Sequence, residues 1–245
     1  VYESKGDYDK VLDYQDRSLT IVEELGDKRG IGSILNSIAG FYWYKGDYDK
    51  ALDYHERTLK QVEELGDKGV MGFVLNNIGL VYADKGDYDK ALDYYGRSLA
   101  IKEELGDKRG MGNSLNNIGI VHSDKGKYEK ALKNYERSYA MQQDIKDFYK
   151  IWWTPIWLQL ARKKAGKQYD VDTIYELIKD RDLNRDKNGY RLHFMLYELL
   201  EEISHLQCSY ELIFEKANKL EPNVKTKILN SHIPAAIVEE WEKVK

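Results

Sequence analysis

The sequence predicts an all-α protein whose helix-turn-helix hairpins stack into a right-handed α-solenoid (a superhelix), closed by a less regular C-terminal helical cap. The string Gly-Asp-Tyr-Asp-Lys begins at residues 6, 46 and 86, and a Gly-Lys-Tyr-Glu-Lys variant begins at 126, so the period is 40 residues. Residues 46–85 and 86–125 are identical at 27 of 40 positions. A fixed period of this length is typical of solenoids, in which each unit buries its apolar stripe against its neighbours.

Each repeat is predicted to contain two helices, as residues 107–145 illustrate. Asp107 can cap the first helix by accepting backbone N–H groups of its first turn. The inward face of this helix has the i, i+3, i+4, i+7 spacing of one helical stripe, at Leu115, Ile118, Gly119 and His122. Gly126 is expected to end the helix, because a residue with positive φ is commonly needed there.

The second helix of the repeat buries a stripe with the same spacing, at Tyr128, Ala131, Leu132, Tyr135 and Tyr139. Lys127 occupies the capping position that Asp47 and Asp87 hold in the earlier repeats. We expect Gly79 and Gly119 to lie opposite Ala91 and Ala131, where small residues allow the two helices to approach closely.

These residues resemble the tetratricopeptide repeat (TPR). The motif L-x-x-I-G-x-x-Y-x-x-x-G-x-Y-x-x-A-x-x-x-Y runs from Leu75 to Tyr95 and recurs from Leu115, with His122 in place of a tyrosine. In the repeat around Leu35, Ala39 replaces the glycine and His55 the last aromatic residue. The 40-residue length looks like that of Pins-type spindle-orientation adaptors and, less closely, of kinesin light chains. The resemblance implies a protein-binding scaffold without a cofactor.

The regularity changes along the chain. Residues 1–145 are predicted to form regular repeats, the first of them truncated, and we expect more repeats or another domain upstream. Residues 146–245 are predicted to form degenerate pairs and capping helices: one pair in 147–180, restarted at Pro155 with Thr154 as cap, another in 191–222, and a final segment in 223–244, split near Pro234.

The resemblance also implies where a ligand would lie, because in similar proteins the first helices line the concave face. Helical geometry places Asn113, Asn117, Ile120 and Asp124 opposite the buried stripe of the repeat at 107–145. The candidate groove, within residues 27–125, comprises Asn36, Ser37, Tyr44, Phe73, Asn76, Asn77, Leu80, Asp84, Asn113, Asn116, Asn117, Ile120 and Asp124. Asparagine amides can pair with both groups of a peptide backbone. The alternative is that the repeated asparagines only join neighbouring helices.

Catalytic and metal-binding sites are not predicted. The common nucleotide, hydrolase and metalloprotease motifs are missing, and the five histidines are scattered in the sequence. The stretch 182–189 imitates a calcium loop, but Met195 stands where the bidentate glutamate is needed. The lone Cys208 is expected to be a buried, inert thiol. Trp152, Trp153 and Trp157 are either a ligand cage or, as we prefer, packing of an irregular end unit.

The composition limits the classes of partner that we expect. The net charge of −4 gives no general attraction to nucleic acid, no apolar run is long enough to span a membrane, and a cytoplasmic setting is expected. We therefore expect a partner protein or extended peptide in the groove. The other hypothesis is a regulatory or self-assembly module that contacts its own upstream domain. Self-association through the first repeat is a further expectation, since that repeat is predicted to expose Leu12, Tyr14 and Leu19.

Overall fold

The computed structural model describes residues 7–145, 153–179, 181–185, 189–219 and 222–244. In these ranges the chain forms thirteen α-helices and a 3-10 helix, Leu183–Arg185, but no strand. The α-helices are α1 (Asp7–Glu24), α2 (Lys28–Tyr44), α3 (Tyr48–Leu65), α4 (Lys68–Asp84), α5 (Tyr88–Glu104), α6 (Lys108–Asp124), α7 (Tyr128–Asp144), α8 (Thr154–Lys164), α9 (Val171–Ile178), α10 (Gly189–Leu200), α11 (Ile203–Asn218), α12 (Pro222–Leu229) and α13 (His232–Val244). The predicted all-α class is confirmed.

The chain divides into two compact units, residues 1–107 with 219–228 and residues 108–218 with 229–245.

The helices begin and end at the residues that the repeat predicts. Four aspartates cap the helices that follow them, each accepting the backbone N–H of the residue three positions later: Asp27, Asp47, Asp67 and Asp87. The turns between successive helices contain glycines spaced 20 residues apart, whose φ lies between 65° and 80°: Gly26, Gly46, Gly66, Gly86, Gly106 and Gly126. This left-handed conformation favours glycine because it has no Cβ.

Helix α7 starts differently. Lys127 has the backbone position of the capping aspartates but makes no side-chain hydrogen bond to the helix. The first turn of α7 therefore lacks the carboxylate that satisfies the starts of α3 and α5.

In the first unit, α2 packs on α3, and α4 on α5, as antiparallel hairpins, and α3 also packs on α4. The core between them is formed by Ala51, Leu52, Val74, Ile78 and Val81. A tyrosine at the end of each first helix stacks on one in the second helix of the same hairpin. The ring centroids of Tyr42 and Tyr54, and those of Tyr82 and Tyr94, are 5.5 Å apart.

The helices of a hairpin are brought together by a glycine against a tyrosine ring. A Cβ atom built on Gly79 would lie 2.7 Å from Cδ1 and Cε1 of Tyr95. The atoms nearest to Gly79 thus belong to Tyr95, whose longer side chain lies one helical turn beyond Ala91, the residue expected opposite this glycine. In the second unit Tyr135, rather than Ala131, fills the space at Gly119, at distances from 2.5 Å.

The repeat that departs from the motif has different residues at both of these positions. At the positions equivalent to Gly79 and Tyr95 it has Ala39 and His55, and both side chains are buried. A larger residue in the first helix is thus matched by a smaller ring in the second. The summed size of the two side chains thus changes little between the repeats, as dense core packing requires.

The exposure predicted for α1 was wrong for two of its three residues. Leu19 is buried and Leu12 packs with it against Leu35 and Ile38 of α2. Tyr14 is 65% exposed, as expected. Leu19 is covered, and Leu12 partly covered, because they belong to the stripe of α1 that faces α2.

The second unit has a larger core, which α7, α8, α9 and α10 share. Its buried residues include Leu132, Tyr135, Ile156, Trp157, Leu160, Ile174, Leu192 and Leu196. Helix α6 packs on α7, α10 on α11, and α13 on α11.

Helix α8 begins at Thr154, beside Pro155, and its cap differs from the predicted one. The capping residue is Trp153, which makes no side-chain cap bond, and Thr154 is already the first helical residue. The Thr154 hydroxyl is buried and bonded to other helices. Nearer the C-terminus, α12 begins at Pro222, and Pro234 lies in the first turn of α13, close to the predicted break.

Candidate functional site

Two hydrogen bonds join α2 and α4 on the predicted face of the first unit. The Nδ2 of Asn77 donates to Oδ1 of Asn36 at 3.3 Å, and the indole Nε1 of Trp43 donates to Oδ2 of Asp84 at 2.8 Å. Two predicted site residues, Asn36 and Asn77, are therefore brought together, while Asp84 contacts Trp43. The asparagines do join neighbouring helices here, which is the alternative that the sequence left open. Each amide has more donors and acceptors than this one bond uses.

Apolar side chains lie exposed on the same two helices. Phe73 of α4 is 52% exposed and Tyr44 of α2 is 40% exposed, while Leu80 is half-buried. Ser37 is exposed and accepts a hydrogen bond from Gln15 of α1 at 2.7 Å. Asn76 is half-buried. This part of the candidate site combines amide groups with shallow apolar contacts.

The remaining predicted residues lie on α6, in the second unit. Asn113 is exposed, while Asn116, Asn117 and Asp124 are half-buried. Ile120 is half-buried against the core of this unit, so it offers less surface to a ligand than Phe73 does.

Asn116 belongs to a chain of polar contacts that connects three helices. Its Oδ1 accepts from the Thr154 hydroxyl at 3.2 Å, and Gln142 Nε2 donates to the Thr154 and Ser138 hydroxyls at 2.9 and 2.8 Å. Ser138 in turn donates to the Gly112 carbonyl at 2.8 Å. This chain satisfies buried polar groups that would otherwise destabilise the unit.

Of the three tryptophans considered as a ligand cage, two lie in the described ranges, and both pack in the core. Trp157 is buried and stacks on Tyr135 with ring centroids 6.2 Å apart, and Trp153 packs against the same core. Trp152 lies outside the described residues. Packing, which we preferred to a ligand cage, is thus found for Trp153 and Trp157.

Sequence reasoning missed Trp43. The equivalent positions in the next repeats hold Ala83 and Ser123, so a tryptophan there departs from the pattern. A comparison of each repeat with the others would have singled it out.

Two of the five histidines, which are scattered in the sequence, meet in the fold. His193 and His205 contact each other across the α10–α11 hairpin, with their Nδ1 atoms 2.9 Å apart. His55 is buried in the first unit, and burial lowers its pKa to about 4.

No cluster of three potential metal-binding side chains occurs in the described ranges. Asp186 and Asn188 of the calcium-like stretch lie outside them, and Asn184 instead contacts His193. Cys208 is half-buried rather than fully buried, and burial raises the pKa of its thiol, which makes it less reactive. None of the described helices has the length and apolar character needed to cross a membrane.

Solved structures share this fold at low sequence identity. The apo form of RapI aligns with a TM-score of 0.69 and 15% identity over 98% of this chain and 72% of that one. The Rap conjugation gene regulator of plasmid pLS20, solved with the Phr* peptide, aligns with a TM-score of 0.63 and 14% identity over 98% and 73%. Aspartyl phosphate phosphatase F from Bacillus subtilis gives 0.67 and 17% identity, and the alignment spans 84% of this chain but only 54% of the phosphatase.

A larger protein also contains a similar region. A signal transduction ATPase with a tetratricopeptide repeat sensor, from Pyrococcus horikoshii, aligns with a TM-score of 0.60 and 17% identity over 98% of this chain and 36% of its own. No curated protein matches the sequence.

The family model for the tetratricopeptide repeat matches three overlapping segments, residues 1–64, 30–104 and 70–144. Together the segments cover residues 1–144, which is more than half of the 245-residue chain. They coincide with the 40-residue hairpins, the glycine turns and the aspartate caps described above. This chain belongs to the tetratricopeptide repeat family.

Proposed function

We propose that this protein is a non-catalytic scaffold that binds an extended segment of a partner protein, or a peptide, on the face formed by α2 and α4. The observation that carries the proposal is the exposure of Phe73 beside the Asn36–Asn77 amide pair. A surface that only meets water would favour charged residues at the position of Phe73. An extended chain needs both apolar contacts and groups that pair with its backbone.

Fixed side chains support the same proposal. The Asn36–Asn77 and Trp43–Asp84 hydrogen bonds hold polar groups of α2 and α4 in one arrangement before any ligand arrives. Preorganised groups lose little conformational entropy on binding, so more of the contact energy appears as affinity. The Rap regulator of similar fold was solved with a bound peptide. The residues of α6, Asn113 to Asp124, are proposed as a second binding face within their own unit.

The choice of ligand is expected to be tolerant of sequence. Amide groups recognise the peptide backbone, which is common to all sequences, and shallow contacts at Phe73 and Leu80 accept several apolar side chains. We also place the protein in the cytoplasm, with a single cysteine and therefore no internal disulfide.

The test starts from peptides selected on the full chain from a random library. Their affinities are then measured for the wild type, for Phe73→Ala and for the double variant Asn36→Ala, Asn77→Ala. Phe73→Ala should weaken binding about tenfold or more, as the loss of a central aromatic contact does. The double variant removes both members of one hydrogen bond, which is close to neutral for stability.

Matched controls separate binding from folding. Leu105→Ala changes a side chain with 49% exposure directly after the end of α5, and Asn134→Ala changes an amide on α7 whose Nδ2 donates to the Lys130 carbonyl in its own helix. Both controls should retain full affinity. The proposal is rejected if the selected peptides bind Phe73→Ala and the asparagine double variant as tightly as the controls.

A second candidate function is that of a sensor or regulatory module within a larger chain. The observation in its favour is that this chain aligns over 98% of its length with about a third of a signalling ATPase that carries a tetratricopeptide repeat sensor. Linking the partner to the same polypeptide would make the contact intramolecular. Peptides selected on the face of α2 and α4 would then match a segment encoded in the same gene.

A further inference from the structure

Two histidines meet inside the second unit, across the α10–α11 hairpin. Their Nδ1 atoms are 2.9 Å apart and their ring centroids 5.1 Å apart. His193 is buried, and the side chain of His205 is only 15% exposed. A distance of 2.9 Å between two nitrogen atoms is that of a hydrogen bond. The space between them therefore holds one hydrogen atom.

The outer nitrogen of each ring faces an oxygen atom. Nε2 of His193 lies 3.0 Å from Oδ1 of Asn184, in the 3-10 helix. An amide oxygen only accepts, so this Nε2 carries a hydrogen, and in the neutral ring Nδ1 of His193 is an acceptor. The hydrogen between the rings consequently belongs to Nδ1 of His205.

The third contact determines how many protons the pair can hold. Nε2 of His205 lies 3.8 Å from Oε2 of Glu202, whose other oxygen accepts from the Tyr175 hydroxyl of α9. A first additional proton can bind Nε2 of His205, where it faces a carboxylate. A second would have to bind Nδ1 of His193 and would place two N–H groups against each other, on two positive rings.

We propose that the His193–His205 contact is a proton-operated latch, which holds α10 against α11 while His193 is neutral and opens when both rings are protonated. The first proton leaves the hydrogen bond between the rings intact. The second cannot be accommodated without separating them. The hairpin therefore stays closed when the pair binds its first additional proton and opens only when it binds the second.

The surroundings set the direction of this response. Burial, and then the neighbouring His205, lower the pKa of His193 to about 4. Burial also lowers the pKa of His205, and the nearby Glu202 opposes that shift. Apart from each other and Glu202, no described titratable group acts on the two rings through charge, and Asn184 is neutral. The open hairpin binds protons near the ordinary value of 6.5, so its formation is favoured as the pH falls from 6.5 toward 4.

The α10–α11 hairpin is connected to the rest of its unit. Leu192 and Leu196 of α10 are fully buried in the core that α8 shares. Helix α8 carries Thr154, which donates to Asn116 of α6. Separation of α10 from α11 would therefore first weaken the packing of α10 on α8. Through Thr154 of α8, it would then disturb the hydrogen bond to Asn116.

Hydrogen exchange of the full chain tests the latch by following amides of α10 and α11, corrected for the intrinsic pH dependence of exchange. Their protection should fall about tenfold or more between pH 7 and pH 5. In His193→Gln and in His205→Gln the protection should fall much less between the two pH values, because the pair no longer takes up two protons. The smaller fall that remains comes from the burial of the one ring left, which lowers its pKa by itself. Glu202→Gln, at the surface, should shift the loss of protection to higher pH, since the closed pair then loses its tolerance for the first proton.

Three controls define the outcome. His55→Gln removes the buried histidine of the first unit and should leave the exchange of α10 and α11 unchanged. Addition of EDTA at pH 7 should have no effect, whereas a loss of protection would mean that a metal ion joins the rings and would overturn the proposal. Protection in the wild type that does not change with pH, or a loss that is as large in both glutamine variants as in the wild type, would overturn it as well.

Discussion

Replacing Gly79 with alanine should destabilise the α4–α5 hairpin, although alanine is the better helix former. The new Cβ would lie 2.7 Å from two ring carbons of Tyr95, whereas ordinary contact begins at 3.4 Å. The ring would thus have to move by 3.4 − 2.7 = 0.7 Å. Tyr95 is only 1% exposed, so the ring has no free space to move into.

Two opposing effects set the magnitude. Overpacking of a dense core costs about 1–3 kcal/mol. The higher helix propensity of alanine returns about 1 kcal/mol. We expect Gly79→Ala to lose about 1 kcal/mol of unfolding free energy. Gly96, in α5 of the same hairpin, provides the matched control, because a Cβ there would have no neighbour within 4 Å. Gly96→Ala should gain about 1 kcal/mol.

Urea unfolding followed by far-UV circular dichroism measures both changes. The double variant Gly79→Ala, Tyr95→His copies the natural Ala39–His55 pair and should be more stable than the sum of its single changes predicts, by about 1–3 kcal/mol. If Gly79→Ala were as stable as Gly96→Ala, the glycine–tyrosine contact would not limit how closely the helices approach. Additive single changes would refute the compensation between residues 79 and 95.

Two further predictions concern a missing cap and a buried charge. Lys127→Asp should stabilise the chain by about 1 kcal/mol, because α7 gains the side-chain cap that α3 and α5 already have, and an unchanged urea midpoint would contradict this. Burial lowers the pKa of Lys102 to about 8, so between pH 8 and 10.5 the unfolded chain holds a proton that the folded chain has released. The stability of the wild type relative to Lys102→Val, the residue type of the equivalent Val62, should therefore rise with pH in this window, and a constant difference would show that the amine is not desolvated.

The helices could be predicted from the sequence because their ends are marked chemically. An aspartate before each start and a glycine after each end repeat at fixed spacing through Gly126. Beyond residue 145 these signals thin out. There the prediction placed the cap of α8 at Thr154, one residue late, since Trp153 has no side chain that signals a cap.

The candidate site was predicted in position but not in its contacts. Helical geometry placed Asn36 and Asn77 on the same face, but their hydrogen bond joins positions 41 residues apart. Alignment of the 40-residue repeats matches Asn36 with Asn76 and therefore does not predict its contact with Asn77. The bond between Trp43 and Asp84 also joins positions 41 residues apart. The first helices of successive repeats thus contact each other with a shift of one residue from their equivalent positions.

The histidine pair could not have been predicted from this repeat. His193 and His205 lie in the irregular part of the chain, on either side of a turn in which Glu201 takes a positive φ of 61° without being glycine. The sequence gives no signal for such a turn. Without the turn, the register of α10 against α11, and therefore the contact of the two rings, stays unknown.

The contact between Gly79 and Tyr95 also restricts how such repeats can be exchanged during evolution. Its two residues lie in the two helices of one hairpin, as Ala39 and His55 do in theirs. Genetic crossover at the turns between hairpins, such as Gly66, moves each pair as a whole. Crossover at the turn inside a hairpin, such as Gly86, would set Ala39 against Tyr95 in one product and Gly79 against His55 in the other, leaving a clash and a void. Whole hairpins, cut at one kind of turn, are thus the units that can be duplicated without repacking.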